Sequence, residues 1–233
     1  MADLRAFVNH TPGVAGDGTV AGVRQTNVGQ LFTADWKEEL VLEGRVFTAH
    51  VGSLTAGADV GLITGGGAGT TIDSDQPEVI VGVAAGTTLI PIEIVVNVDS
   101  DMDADADQMA VLIFADLTQA PPGTATATAP TVSNFLDAGG VTSVATIHTA
   151  VTADITDPVM TQLIDYKRVS VRDNGVAASA HLNGLYLDHK PVVPFLMDGP
   201  CSLVVCWGGT VATPGMARVT WAEVPTGRYD VIS

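Results

Sequence analysis

The sequence predicts an all-β fold built as an antiparallel two-sheet β-sandwich. Apolar residues make up 46% of the chain and are mostly Val, Ala, Ile and Leu, and β-branched side chains suit a pleated sheet better than a helix. Short apolar segments alternate with turns that contain Gly or Pro along most of the sequence. No helical pattern alternates with these segments, which argues against a parallel α/β sheet.

The 233 residues suffice for one large β domain. We divide the chain into an extended N-terminal arm over residues 1–44, the sandwich over residues 45–225 and a C-terminal tail over residues 226–233. Asp35 is placed to cap a short helix over residues 36–42, although an extended arm suits this stretch equally well.

The predicted strands of the sandwich follow one another with turns between them. Two hairpins are expected, one between residues 77–83 and 89–98 and one between residues 203–210 and 216–224. Asp157 and Pro158 predict a short helix within residues 152–166. The jelly roll is the commonest eight-stranded sandwich, so we expect a fold of jelly-roll type. The predicted strands cover residues 45–51, 77–83, 89–98, 109–114, 141–148, 167–171, 178–187, 203–210 and 216–224.

The charge of the chain argues against direct contact with nucleic acid. Ten Lys and Arg residues stand against 26 Asp and Glu residues, a formal net charge of −16. Proteins that bind nucleic acid use clustered Lys and Arg residues, whereas Arg5 and Arg24 are the only basic residues before Lys37. We therefore expect no basic arm that reaches a genome.

The two cysteines are expected to be buried thiols on opposite faces of one strand. Cys201 and Cys206 are five residues apart, and an odd spacing sends strand side chains to opposite faces. The longest apolar run, residues 88–98, contains Glu93 and Asn97 and is too short to span a bilayer. We expect a protein that is not inserted in a membrane.

A ladder of alternating aspartates is the sharpest local motif. Asp99, Asp101, Asp103 and Asp105 offer hard oxygen ligands that suit Ca²⁺. The pattern departs from an EF-hand, because Ala occupies the sixth loop position and no Glu occupies the twelfth. A solvated loop and a contact with a neighbour's basic patch are the alternatives, and the basic group Lys167, Arg168 and Arg172 is the candidate patch.

The chain offers no constellation typical of catalysis, so we predict a protein that is not an enzyme and requires no cofactor, with Ca²⁺ as the one candidate ion. The five His residues are scattered and form no H-x-H or H-x-D/E pattern, and no G-x-S-x-G motif occurs. Trp36, Trp207 and Trp221 could form a sugar-stacking platform, but packing inside the sandwich is the preferred interpretation of Trp207 and Trp221. The predicted interface residues are apolar side chains of the arm and of an Ala/Pro/Thr-rich excursion: Leu31, Phe32, Trp36, Phe135 and Leu136.

The overall pattern resembles the single jelly-roll capsid proteins of viruses and bacteriophages. The likeness rests on the N-terminal arm, the strand at residues 45–54, the pair at residues 78–98, the excursion at residues 117–135 and the final pair at residues 203–207 and 217–221. It departs from the coat proteins of small RNA viruses, which carry a basic arm.

This resemblance implies a structural virion protein. It would be a major capsid protein that assembles with copies of itself, and with other capsid proteins, into an icosahedral shell in the host cytoplasm. A spike, a fibre head or a carbohydrate-binding module that forms a small oligomer is the alternative.

Overall fold

The computed structural model describes residues 35–52, 63–64, 72–98, 108–119, 130–136, 140–151, 155, 158–170, 184–210 and 214–226. Within these ranges the chain forms two antiparallel sheets that pack face to face, which confirms the predicted all-β sandwich. The described elements are the helix α1 (Trp36–Leu42) and the strands β1 (Val46–Val51), β2 (Ile63–Thr64), β3 (Val79–Val83), β4 (Thr87–Val98), β5 (Gln108–Asp116), β6 (Ser133–Asn134), β7 (Thr146–Thr149), β8 (Gln162–Ser170), β9 (Leu185–His189), β10 (Met197–Asp198), β11 (Cys201–Gly209) and β12 (Pro214–Pro225).

Sheet I is organised around the two longest strands, β4 and β12. One edge of β4 pairs with β12, and the other edge pairs with β9 near its end and with β10 near its start. The far edge of β12 pairs with β1 and β2, and β1 also pairs with β6. Sheet II has the order β7–β3–β11–β5–β8.

The strand pairs nest within one another along the chain. Among the described strands, eight have five residues or more, namely β1, β3, β4, β5, β8, β9, β11 and β12. The first of these eight pairs with the last (β1 with β12), the second with the seventh (β3 with β11), the third with the sixth (β4 with β9) and the fourth with the fifth (β5 with β8). Pairs between β4 and β12 and between β5 and β11 then join these ladders into two sheets.

Both predicted hairpins are therefore wrong. Strands β3 and β4 follow each other through a turn at Gly86, yet β3 belongs to sheet II and β4 to sheet I. Strands β11 and β12 are likewise in opposite sheets. Sequential strands pair or lie side by side roughly two-thirds of the time. Most residues of β11 and β12 are buried, however, and each strand has a partner on both edges, so long-range partners decide the pairing.

The helix predicted within residues 152–166 is also not found where the structure describes this stretch. Residues 162–166 belong to β8, which pairs with β5 along its length. Asp157 lies outside the described residues. Ile164, Tyr166 and Val169 suit a strand. Pairing with β5 also satisfies backbone groups that would have no hydrogen-bond partner at the ends of a short helix.

The core lies between the sheets and is centred on two tryptophans. Trp207 on β11 and Trp221 on β12 are fully buried, and the Trp221 ring lies 6.1 Å from the ring of Phe47 on β1. This confirms the packing interpretation of both tryptophans. Cys201 belongs to the same core, whereas Cys206 packs with Ile80 and Phe114 on the opposite face of sheet II. Both thiols are free, as predicted.

Helix α1 lies within the predicted arm and covers part of the outer face of sheet I. Asp35 caps it, as expected: its Oδ1 accepts hydrogen bonds from the N–H groups of Lys37 (2.8 Å) and Glu38 (2.9 Å). The helix ends at Leu42, Glu43 is its C-cap, and Gly44 follows with a φ of +67° that suits glycine. Leu40 anchors the helix on an apolar cluster formed by Val46, Ile90, Ala222 and Val224.

Candidate interaction surface

The outer face of sheet I, which points away from sheet II, carries an ordered array of polar side chains. Strand register sets Tyr186, Asn97 and Met216 side by side in one row. The next row places Asp188 beside Val95, Val95 beside Arg218, and Arg218 beside His50. Together with neighbouring residues, these rows line a depression of about 660 Å³, which we call the sheet depression.

A chain of alternating charges crosses the sheet depression. An Arg218 guanidinium nitrogen lies 2.5 Å from Glu93, whose other carboxylate oxygen lies 2.9 Å from the Lys190 ammonium, which in turn lies 3.0 Å from Asp188. Hydrogen bonds to Glu93 and then to Asp188 raise the pKa of Lys190 above its usual value. Exposed ion pairs add little stability each, so their main effect is to orient these side chains.

A bulge in β4 joins the sheet depression to a second one beside α1. On β12, Thr220 lies opposite Glu93, but the next residue, Trp221, lies opposite Pro91. Ile92 is therefore an extra residue in β4. Pro91 has no N–H to donate, and a bulge is where a sheet tolerates proline. Both Ile92 and Glu93 consequently line the second depression. This socket, of about 230 Å³, is lined by Lys37, Val41, Val46, Ile92, Glu93, Phe135, Lys190 and Thr220.

The loop between β9 and β10 displays two adjacent valines. Val192 is 95% exposed and Val193 is 76% exposed, and Pro191 and Pro194 flank them. Both ends of the loop are fixed, because β9 and β10 pair with the same strand β4, and Phe195 packs against the core. We call Val192 and Val193 the valine knob.

A buried carboxylate organises a third surface at the junction of β5 and β8. Asp116 is fully buried, and its Oδ1 accepts hydrogen bonds from the Thr118 N–H (2.8 Å) and hydroxyl (2.5 Å), while its Oδ2 accepts one from the Val159 N–H (3.0 Å). Burial alone would raise the pKa of this carboxyl, but the hydrogen bonds outweigh burial and lower it. The two loops so joined expose Leu117, Val159 and Met160, a group we call the apolar platform.

Side-chain contacts close the seam between β8 and β9, which lie in opposite sheets. Asp165 Oδ2 lies 2.8 Å from His189 Nδ1, and the Lys167 ammonium donates a hydrogen bond to the Tyr186 carbonyl at 2.6 Å. Arg168 binds the side chain of Gln108. Two members of the predicted basic group therefore make contacts within the subunit, and the third, Arg172, lies outside the described residues.

The predicted interface residues are only partly covered by the structure. Trp36 is half-buried against the cluster under α1, with the Lys37 ammonium 5.4 Å from its ring centre. Phe135 is 52% exposed at the rim of the socket, and Leu136 is half-buried. Leu31 and Phe32 lie outside the described residues.

The predicted metal ligands Asp99, Asp101, Asp103 and Asp105 also lie outside the described residues. Within the ranges that the structure describes, no group of three or more His, Cys, Asp or Glu side chains is arranged to hold a metal ion. In the same ranges, none of the helical structure has the length and apolar character needed to cross a bilayer.

The valine knob, the buried Asp116 and the charge chain were not predicted from the sequence. A signal for the knob was present, since the segment Lys-Pro-Val-Val-Pro at residues 190–194 places two apolar side chains between two residues of fixed φ. Asp116 carried no such signal, because its partners Thr118 and Val159 come from two different loops. The charge chain joins three strands that only the sheet order brings together.

No protein-family model and no curated protein matches the chain.

Proposed function

We propose that the protein is a structural virion protein, a major capsid protein whose sandwich assembles with copies of itself into an icosahedral shell. The observation that carries the proposal is the nested pairing of the eight longer strands. A jelly roll can be described as one long antiparallel hairpin of eight strands, in which the first pairs with the eighth and so on inward, rolled into two sheets. The pairs β1–β12, β3–β11, β4–β9 and β5–β8 follow that order. The jelly-roll assignment is part of the proposal.

The distribution of exposed apolar side chains supports assembly through several contacts. The valine knob and the apolar platform are separate segments of the described surface, and each exposes large apolar residues. Isolated apolar residues on a surface are ordinary, whereas grouped ones mark interaction sites. A shell subunit needs more than one such site, because it must contact several neighbours.

The charge of the subunit sets the conditions under which assembly should occur. At a net charge of −16, copies repel one another at low ionic strength. Salt screens this repulsion over about 10 Å at 0.1 M, and a divalent cation could neutralise clustered carboxylates. We therefore expect assembly to be promoted by salt or by Ca²⁺, and we assign no genome-binding role to the subunit.

Electron microscopy and light scattering of the purified full-length chain test the proposal. We expect closed particles of uniform size over some range of salt and Ca²⁺ concentration. A protein that remains monomeric under all these conditions would contradict the proposal.

One observation favours a second candidate function, a carbohydrate-binding module. The sheet depression has a volume typical of ligand sites and combines an exposed aromatic ring, Tyr186, with planar polar side chains of Asn97 and Arg218. A glycan array would test this function, with Tyr186→Ala as the variant expected to lose binding. An array without hits, from a protein that forms large particles, would exclude this candidate.

A further inference from the structure

The valine knob and the socket lie next to each other on the same side of the subunit. Lys190 links the two features, since it lines the socket and is the residue directly before Pro191 of the knob loop. When a projection and a recess are neighbours on one face, a two-fold axis can place the projection of each copy in the recess of the other. Such an isologous contact is closed and buries both pairs of features at once.

The knob is built as a pre-organised anchor. Pro191 and Pro194 fix φ on both sides of the valines, and the loop ends are held by β9, β10 and the partly buried Phe195. A segment that is already ordered loses little conformational freedom when it binds. Val192 and Val193 are nevertheless among the most exposed apolar side chains that the structure describes. The subunit thus presents an ordered apolar projection that the described part of the chain leaves exposed.

The socket has the chemistry and the size to receive such a projection. Its walls include the aliphatic side chains of Val41, Val46 and Ile92 and the ring of Phe135. Its volume of about 230 Å³ is several times the ~30 Å³ that one water occupies in the liquid. A branched aliphatic side chain can therefore enter and displace water from an apolar wall.

The charges around these features favour a second copy of the chain over an unrelated partner. The charged residues that line the socket and the sheet depression are three cations, Lys37, Lys190 and Arg218, and two anions, Glu93 and Asp188. Their sum is +1, against −16 for the whole chain. At this face the contact itself therefore carries no excess of negative charge, and alternating charges let a two-fold contact set cations opposite anions.

We infer that the subunit forms a two-fold dimer in which the valine knob of each copy fills the socket of the other. This inference rests on the proposed self-assembly and identifies one of its contacts. The remaining apolar surfaces, including the platform, are left for the other contacts of a shell.

The first experiment measures self-association of the full-length chain by mass photometry. The double variant Val192→Ser/Val193→Ser is compared with the matched variant Val144→Ser, whose valine is 65% exposed on a different segment. Burial of one valine is worth about a factor of 10 in affinity. A two-fold dimer buries four of these valines, two from each copy, so we expect the concentration for half-association to rise well beyond about 100-fold in the double variant and to stay within about 3-fold of the parent in Val144→Ser. Equal behaviour of the two variants would overturn the inference.

The second experiment tests the geometry by mixing two single-cysteine variants. The native thiols are buried and do not interfere. Val192→Cys mixed with Lys37→Cys should form a disulfide-linked dimer of one chain of each kind under mild oxidation, because Lys37 lines the socket. Val192→Cys mixed with Val144→Cys is the control and should not. Particles that form without the knob-to-socket crosslink would refute the dimer alone, whereas a chain that never associates would refute the proposed function itself.

Discussion

Replacement of Asp116 by Asn should destabilise the sandwich far more than the loss of an exposed acid. The carboxylate accepts three hydrogen bonds from Thr118 and Val159 in a fully buried position. Asn keeps one acceptor oxygen but turns an NH₂ group toward one of the N–H donors. A hydrogen bond to a charged group contributes about 1.5–3 kcal/mol, and an unsatisfied buried donor costs about 1–3 kcal/mol. We expect a loss of about 2–4 kcal/mol in the free energy of unfolding.

Urea unfolding followed by tryptophan fluorescence measures this loss, because Trp207 and Trp221 are both in the core. All variants must be compared at one protein concentration, since association alters apparent stability. Asp188→Asn is the matched control; it removes an exposed carboxylate paired with Lys190 and should cost less than about 1 kcal/mol. A loss below about 0.5 kcal/mol for Asp116→Asn would refute the role assigned to this carboxylate.

The difference in stability between the parent and Asp116→Asn should also depend on pH. Folding lowers the pKa of Asp116, so the folded protein keeps the carboxylate charged at pH values where the unfolded chain takes up a proton. The resulting stabilisation is fully present above the unfolded value of about 3.9 and is lost as the pH falls through the lower folded value. The stability difference between the parent and Asp116→Asn should therefore shrink as the pH falls below about 4. A difference that grows in acid would show that the sign is wrong.

Two further predictions concern the core and the end of α1. Burial raises the pKa of Cys201 to about 11 and that of Cys206 well above the usual thiol value. Neither thiol should therefore react with a disulfide reagent at pH 8 until urea unfolds the protein. Fast labelling of the folded chain would contradict this expectation. Gly44→Ala should cost about 1–3 kcal/mol, because Gly44 has φ +67° and a Cβ there would lie 2.5 Å from Gly140 Cα. Gly86→Ala is its control, since φ is +95° but nothing lies within 4 Å of the added Cβ; equal losses in urea titrations would show that the contact with Gly140 is irrelevant.

The sequence predicted those features that depend on residues close together along the chain. Asp35 indicated the start of α1, because an N-cap side chain bonds to backbone N–H groups only two and three residues away. The odd spacing of Cys201 and Cys206 placed them on opposite faces, because the strand period is two. The two-sheet sandwich followed from the same alternation of apolar segments and turns.

Long-range partners could not be predicted in the same way. A turn such as the one at Gly86 can close a hairpin or carry the chain from one sheet to the other, and nothing within that turn decides between them. The choice depends on β11 and β12, more than a hundred residues away, which occupy the positions beside β3 and β4. The socket is hidden from sequence for this reason, since its walls come from α1, β1, β4 and the segment after β6.

Sedimentation velocity of the purified full-length chain over a range of salt and Ca²⁺ concentrations shows whether the subunit assembles with copies of itself. We expect a discrete species many times heavier than the 23.9 kDa monomer, which forms more readily as salt screens the net charge of −16. A single monomeric boundary at every salt and Ca²⁺ concentration would contradict it.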